Sequence, residues 1–145
     1  MTMVTRTILQ LVTLISTVVI PSTLRAETNW KILSASSTGS VISVDVASIK
    51  VSPPKTGRNF VVRQIWVRWD HSNDKTVSHR KSVELYSVDC ANDSSAIISY
   101  AEYNADTTVK VSQNLDDYDF RYKPNAPDTI GLAIQEFACG RRSLP

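Results

Sequence analysis

Two histidines, His71 and His79, flank a polar stretch that also holds Asp70 and Asp74. Imidazole and carboxylate are ligands for zinc and its neighbours in the first transition row. The spacing follows no metal-binding pattern, however, and Asp, Ser and Asn recur in hairpin loops because they hydrogen-bond their own backbone. The stretch reads as a turn, and no metal or other cofactor is expected. Asp116, Asp117 and Asp119 cluster three carboxylates, the hard-oxygen chemistry that calcium prefers. An EF-hand loop also needs a glycine at its bend and a glutamate in register at its end, and both are missing. A solvated acidic loop is the expectation there. Serines are plentiful, but none sits in a G-x-S-x-G turn that would present a nucleophile. Glu84, Asp89 and Glu102 offer acids for hydrolysis, yet carboxylates on neighbouring strands more often pair with Lys or Arg across the sheet. No catalytic residue is assigned, and the chain is read as a non-enzyme.

Cys90 and Cys139 are the two cysteines. In an exported chain an even pair favours a disulfide, and two thiolates alone cannot complete a four-ligand structural zinc site. The bridge would close a loop of 49 residues, which stabilises the fold by about 4 kcal/mol in the chain-entropy description.

Export is read from the amino terminus. Arg6 lies in a short polar start, an apolar run occupies 8–20, and Pro21 leads to the small residue Ala26. This is the order of a secretory signal. The run is shorter than the roughly 20 apolar residues of a membrane-spanning helix, and Gln10, Thr13, Ser16 and Thr17 dilute it. Residues 1–26 are therefore expected to be a removed signal peptide, leaving 27–145 as a single domain with no transmembrane segment. No cysteine stands near the cleavage point to carry a lipid. The destination is the periplasm, the outer cell surface or the medium.

Removing the signal also removes Arg6 and Arg25, so the chain's 16 basic and 14 acidic side chains become 14 and 14 in the mature domain. A nucleic-acid binder presents a net basic surface that displaces counterions from phosphates. A formally neutral domain does not, and no nucleic-acid partner is expected.

The elements that must position these residues are mostly strands. Runs rich in Val, Ile, Tyr and Trp fall at 30–34, 41–46, 59–69, 80–90, 95–104 and 107–112, separated by turn-forming clusters. This is the pattern of antiparallel strands joined by hairpins. The run at 59–69 is apolar on both faces and is predicted to be central, with Trp66 placed in the core. The run at 107–112 is short and weakly patterned, as an edge strand would be. Near the end the period changes: Ile130, Ala133, Ile134 and Phe137 share one helical stripe, with Pro127 before it and Gly140 after it. The predicted fold is α+β, an antiparallel sheet of about six strands with one amphipathic helix at 127–138 packed on it and tied by the disulfide.

Arg63, Arg68, Arg80 and Lys81 lie on strands predicted to be neighbours, close to Trp69 and Tyr86. Arg and aromatic side chains dominate protein–protein hot spots, so these six residues form the candidate binding surface.

An ordered set of landmarks runs along the mature chain: Trp30; Ser43, Val44 and Asp45 with Ser48 and Ile49; Ile65, Trp66 and Val67; Lys81 and Ser82; Val88, Asp89 and Cys90; Tyr103; Val109, Lys110 and Val111; and Pro127, Asp128 and Thr129 ahead of Cys139. In this order, and with both cysteines, the chain resembles the surface-adhesin E family of small exported bacterial domains. It departs from the family at Asn104, Ala105, Asp106 and Thr107, where a turn glycine is usual, at Pro127, Asp128 and Thr129, where Pro-Gly-Ser often opens the helix, and at Phe120 or Tyr122, where a Trp is usual. The resemblance implies a sheet with a disulfide-held terminal helix, allows a homodimer, and implies binding to proteins of a host surface or matrix. The alternative is a periplasmic inhibitor or accessory subunit that binds an envelope protein of its own cell; a small hydrolase ranks below both.

Overall fold

A computed structural model describes residues 28–52, 61–115 and 121–145. The expected signal peptide, Phe60 and the acidic cluster at Asp116, Asp117 and Asp119 lie outside them. The described chain forms strands β1 (Trp30–Ala35), β2 (Val41–Asp45), β3 (Lys50–Ser52), β4 (Val62–Asp70), β5 (Lys81–Asp89), β6 (Ser94–Tyr103), β7 (Val109–Asn114) and β8 (Lys123–Pro124), then helix α1 (Ile130–Ala138). The sheet runs in the order β1-β2-β4-β5-β6-β7, with β3 added along β4 and β8 along β6. Its described pairings are antiparallel. The six expected strands are all present, β4 is interior, and β7 is an edge. The two additional strands, three and two residues long, are too short to display the period-2 alternation by which a strand is read from sequence.

Alternation along β4 sorts the residues between two faces. Ile65, Val67 and Trp69 point to one face, where Ile65 pairs with Tyr86, and Val67 with Val44. That face carries the core: Leu33, Ile42, Val44, Ile65, Val67, Tyr86 and Val88 pack with Ala133, Ile134 and Ala138 of α1. Trp66 and Arg68 point to the other face. Trp66 is half-buried and stands outside the core cluster, which corrects the expectation that it is a core residue. A strand apolar on both faces is not necessarily covered equally on both.

The helix starts at Ile130, later than Pro127 suggests. Asp128 takes a left-handed backbone, φ 57°, so the helical conformation cannot run back through it. Thr129 caps the first turn instead, its Oγ1 accepting the Leu132 amide at 3.2 Å. At the other end Gly140, φ 72°, closes the helix, and its amide donates to the Phe137 carbonyl. A left-handed glycine just past a helix is the usual way to satisfy its last carbonyls. The buried face of α1 is Ala133, Ile134, Gln135 and Ala138, turned from the expected stripe of Ile130, Ala133, Ile134 and Phe137, and Cys139, still right-handed at φ −83°, is bonded to Cys90 just past β5 with the Cα atoms 5.7 Å apart.

A polar joint next to the disulfide fixes the angle of α1. Gln135, fully buried, donates from Nε2 to Asp93 at 2.9 Å, and the Asn125 amide donates to both Gln135 Oε1 and Ser95 Oγ. Gly131 is required where this joint passes the helix, because a Cβ there would lie 2.6 Å from Asn125 Oδ1.

Candidate functional site

The face opposite α1 is the one the sheet leaves accessible. Across it run two rows of side chains set by the register. One row contains Ile32, Ser43, Arg68, Val83 and Ala101; the next contains Trp30, Trp66 and Leu85. Ile32 is 60 % exposed, while Trp30, Trp66, Arg68, Val83 and Leu85 are half-buried. The contrast with Ile65 and Val67 on the helix side, both fully buried, is the contrast between a face that α1 covers and one that no described helix covers.

A break in the strand shapes this face. After Asp45 the chain leaves β2 for a single 3-10 turn, Val46–Ser48, before rejoining β4 as β3. Asp45 starts the turn, its Oδ1 accepting the amides of Asn29 at 2.8 Å and Ala47 at 3.1 Å. The break removes ladder partners from the middle of β4, and Ser48 replaces one of them by accepting the Trp66 amide at 3.0 Å. Where the strand steps aside, a hollow of about 400 Å³ opens, lined by Ala47, Ile49, Lys50, Trp66 and Leu85 among others.

Lys50 lines the hollow, and two more cations lie farther along the same face. The Arg68 guanidinium lies 4.7 Å from the centre of the Trp30 ring, and Lys81 Nζ lies 4.3 Å from the centre of the Tyr103 ring. Stacking of this kind holds a charge in place over an apolar support. Among the described residues Lys50, Arg68 and Lys81 make no ion pair. The exposed acid beside Arg68 and Lys81 is Asp70, whose carboxyl is held below the ordinary range first by the Ser72 side chain and backbone and then by Arg68 and Arg80.

The six residues singled out from the sequence do not share one face. Arg68 and Lys81 stand on the open face with Trp30 and Tyr103. Arg63 points to the helix side and donates from Nη1 to the Ala138 carbonyl at 3.1 Å. Arg80 closes the loop after β4, donating to the Ser72 carbonyl. Trp69 and Tyr86 also turn to the helix side, where both donate to Glu84 Oε2, at 3.1 and 3.0 Å. Period-2 alternation accounts for the split, since Trp69 follows Arg68 by one position. Trp30, Trp66, Leu85, Lys50 and Tyr103 were not singled out as site residues. Only the strand register and the break after Asp45 bring them together, and neither has a sequence signal.

Two polar clusters on the helix side bear on catalysis. Ser40, His71 and Asp74 touch, but in the wrong order for a nucleophilic triad, in which histidine must stand between the other two. Ser40 Oγ donates to Asp74 Oδ2 at 2.6 Å and lies 2.8 Å from His71 Nδ1. With its proton given to Asp74, Ser40 accepts from His71 Nδ1, so the imidazole orients the hydroxyl rather than deprotonating it. All three are buried. Burial holds the His71 imidazole below its ordinary value, reinforced by His79, and the hydroxyls of Ser40, Thr38 and Thr76 hold the Asp74 carboxyl well below its own. No group of three or more potential metal ligands is found among the described residues. The second cluster is Glu84 with Trp69, Tyr86 and Ser82. Burial raises the Glu84 carboxyl above its ordinary range, and burial together with Glu84 raises the Tyr86 phenol. The expected pairing of acids with cations is seen at Glu102, 3.5 Å from both His79 and Lys110. Glu84 is satisfied by neutral donors instead, and Asp89 caps the turn at Ala91 and Asn92.

No helix among the described residues is long and apolar enough to cross a membrane. No curated protein and no solved structure matches the chain. The family model described as surface-adhesin protein E matches residues 30–140, from the first residue of β1 to the glycine that ends α1. The chain belongs to the surface-adhesin protein E family.

Proposed function

We propose that the mature domain is a non-enzymatic adhesin that holds a protein of a host surface or matrix through the open face of its sheet. A signal peptide at 1–26 delivers the chain to the cell envelope, where Cys90 and Cys139 oxidise. The observation that carries this reading is the group of aromatic, aliphatic and cationic side chains on the face that no described helix covers: the exposed Ile32 with the half-buried Trp30, Trp66, Arg68, Lys81 and Leu85. Contiguous apolar surface rimmed by charge marks protein contact, and arginine and tryptophan are the residues that most often anchor it. The family supports a surface role.

The test offers the naturally processed protein both a panel of host matrix proteins and an envelope extract of its own cell. Saturable capture of a matrix protein, lost in the Arg68→Glu/Lys81→Glu variant at an unchanged melting temperature, supports the proposal. Selective capture of an envelope protein would make the domain an accessory subunit or inhibitor. Capture that is indifferent to the double variant would move the site off this face.

A further inference from the structure

Resting on that reading, we infer the chemistry of the segment the open face takes: an acidic, extended stretch of polypeptide that seats one apolar side chain in the hollow over Trp66 and Leu85. Charge is the first argument. Lys50, Arg68 and Lys81 come from three different strands, yet all lie on this face and make no ion pair among the described residues. Glu84 and Glu102, by contrast, point to the helix side, where their oxygens are already engaged. Asp45, which lines the hollow, spends Oδ1 on two backbone amides. Asp70, opposite Lys81 in the register and close enough to Arg68 to feel its charge, is the exposed acid on this face, and the three cations outnumber it. A ligand carboxylate is the complement.

Shape is the second argument. Arg68 and Lys81 are held over Trp30 and Tyr103, so they lose little freedom on pairing, and rigid partners lower the entropic cost of binding. The hollow, about 400 Å³, accommodates a leucine or phenylalanine side chain against the indole of Trp66. It gives a polypeptide an anchor that an anionic polysaccharide, with no apolar side chain, does not use. Lys50 lines the hollow itself, so an acid next to the apolar anchor finds a cation within reach.

The inference is tested with the naturally processed protein and a fluorescent glutamate-rich peptide carrying one central leucine. Three competitors are used: the lysine-for-glutamate peptide, the peptide with alanine for leucine, and heparin. The acidic peptide is expected to bind and to weaken as salt rises from about 50 to about 300 mM. It should weaken about fivefold in each of Lys50→Glu and Lys81→Glu, with no change in Lys110→Ala on the opposite face. The alanine peptide is expected to bind less tightly than the leucine peptide. Equal affinity for the lysine peptide, or binding of heparin alone, would overturn the inference. If the acidic peptide fails to bind while capture of a protein partner still depends on Arg68 and Lys81, the acidic chemistry is wrong and the open-face reading stands. If capture is also indifferent to those residues, both fall.

Discussion

Ser48 accepts the backbone amide of Trp66 at 3.0 Å across the break between β2 and β3, while its own hydroxyl proton goes to the Asp45 carbonyl at 2.6 Å. One side chain thereby holds open the notch in which the hollow lies and satisfies an interior strand that has lost its neighbour. Ser48→Ala leaves the part-buried Trp66 amide without this acceptor. It should cost about 1–3 kcal/mol, the usual penalty of an unsatisfied buried donor, and should shift Trp66 emission. Chemical denaturation followed at tryptophan wavelengths reads both. A variant as stable as the parent with unaltered emission would show that the strand break does not depend on Ser48.

Removing the bridge with Cys90→Ala/Cys139→Ala should lower stability by about 4 kcal/mol for a 49-residue loop. That is a large part of the 5–15 kcal/mol typical of a domain. Reducing agent should bring the parent down to the level of the variant, and should leave the variant unmoved. If the melting temperatures of parent and variant coincide without reductant, the bridge is not what holds α1.

Gly131→Ala sets two effects against each other. Alanine favours a helix interior by about 1 kcal/mol over glycine, but its methyl would meet Asn125 Oδ1 at 2.6 Å. Asn125 cannot yield without leaving Ser95 and the buried Gln135. Overpacking and the unpaired, buried carbonyl oxygen of Gln135 together outweigh the propensity, and a net loss of about 1–2 kcal/mol is expected. A stabilised variant would mean that Asn125 is free to move.

Two titratable groups on the helix side, the part-buried Glu84 and the buried His71, oppose each other in pH dependence. Glu84 is raised above its ordinary value of 4.5 by burial, so the folded state holds its proton more tightly than the unfolded state. Its stabilising contribution is full below pH 4.5 and is lost as pH rises through the raised value. His71 is lowered from 6.5, first by burial and then by His79. Its contribution is full above pH 6.5 and is lost as pH falls through the lowered value. Glu84→Gln should therefore gain on the parent as pH rises from 4.5 toward 8, and His71→Asn should flatten the loss below pH 6.5. Melting temperatures of the three proteins between about pH 4 and about pH 8 decide it; parallel curves would contradict both assignments.

Much of this fold was readable from residue types alone because its signals are local. Alternating Val, Ile and Tyr marked six strands, the stripe at Ile130, Ala133, Ile134 and Phe137 marked the helix, and an even cysteine count in a chain read as exported marked the bridge. Trp66 shows where local reading ends. Its strand is apolar on both faces, and only the packing of α1 decides which face becomes the core. Arg68 and Trp69 make the same point about the site: adjacent in sequence, they serve opposite faces. The hollow depends on Asp45, Lys50, Trp66 and Leu85 from four strands meeting Ser48 of the 3-10 turn, and the short β3 that completes it has too few residues to announce itself.

The central claim is that the open face is the surface the partner covers. Binding isotherms of one captured protein against the parent, Arg68→Glu/Lys81→Glu on the open face and Lys110→Ala on the opposite face, each with its melting temperature, test it most directly. The account predicts binding lost in the first variant and retained in the second, with stability unchanged in the first. Full binding by Arg68→Glu/Lys81→Glu would contradict it.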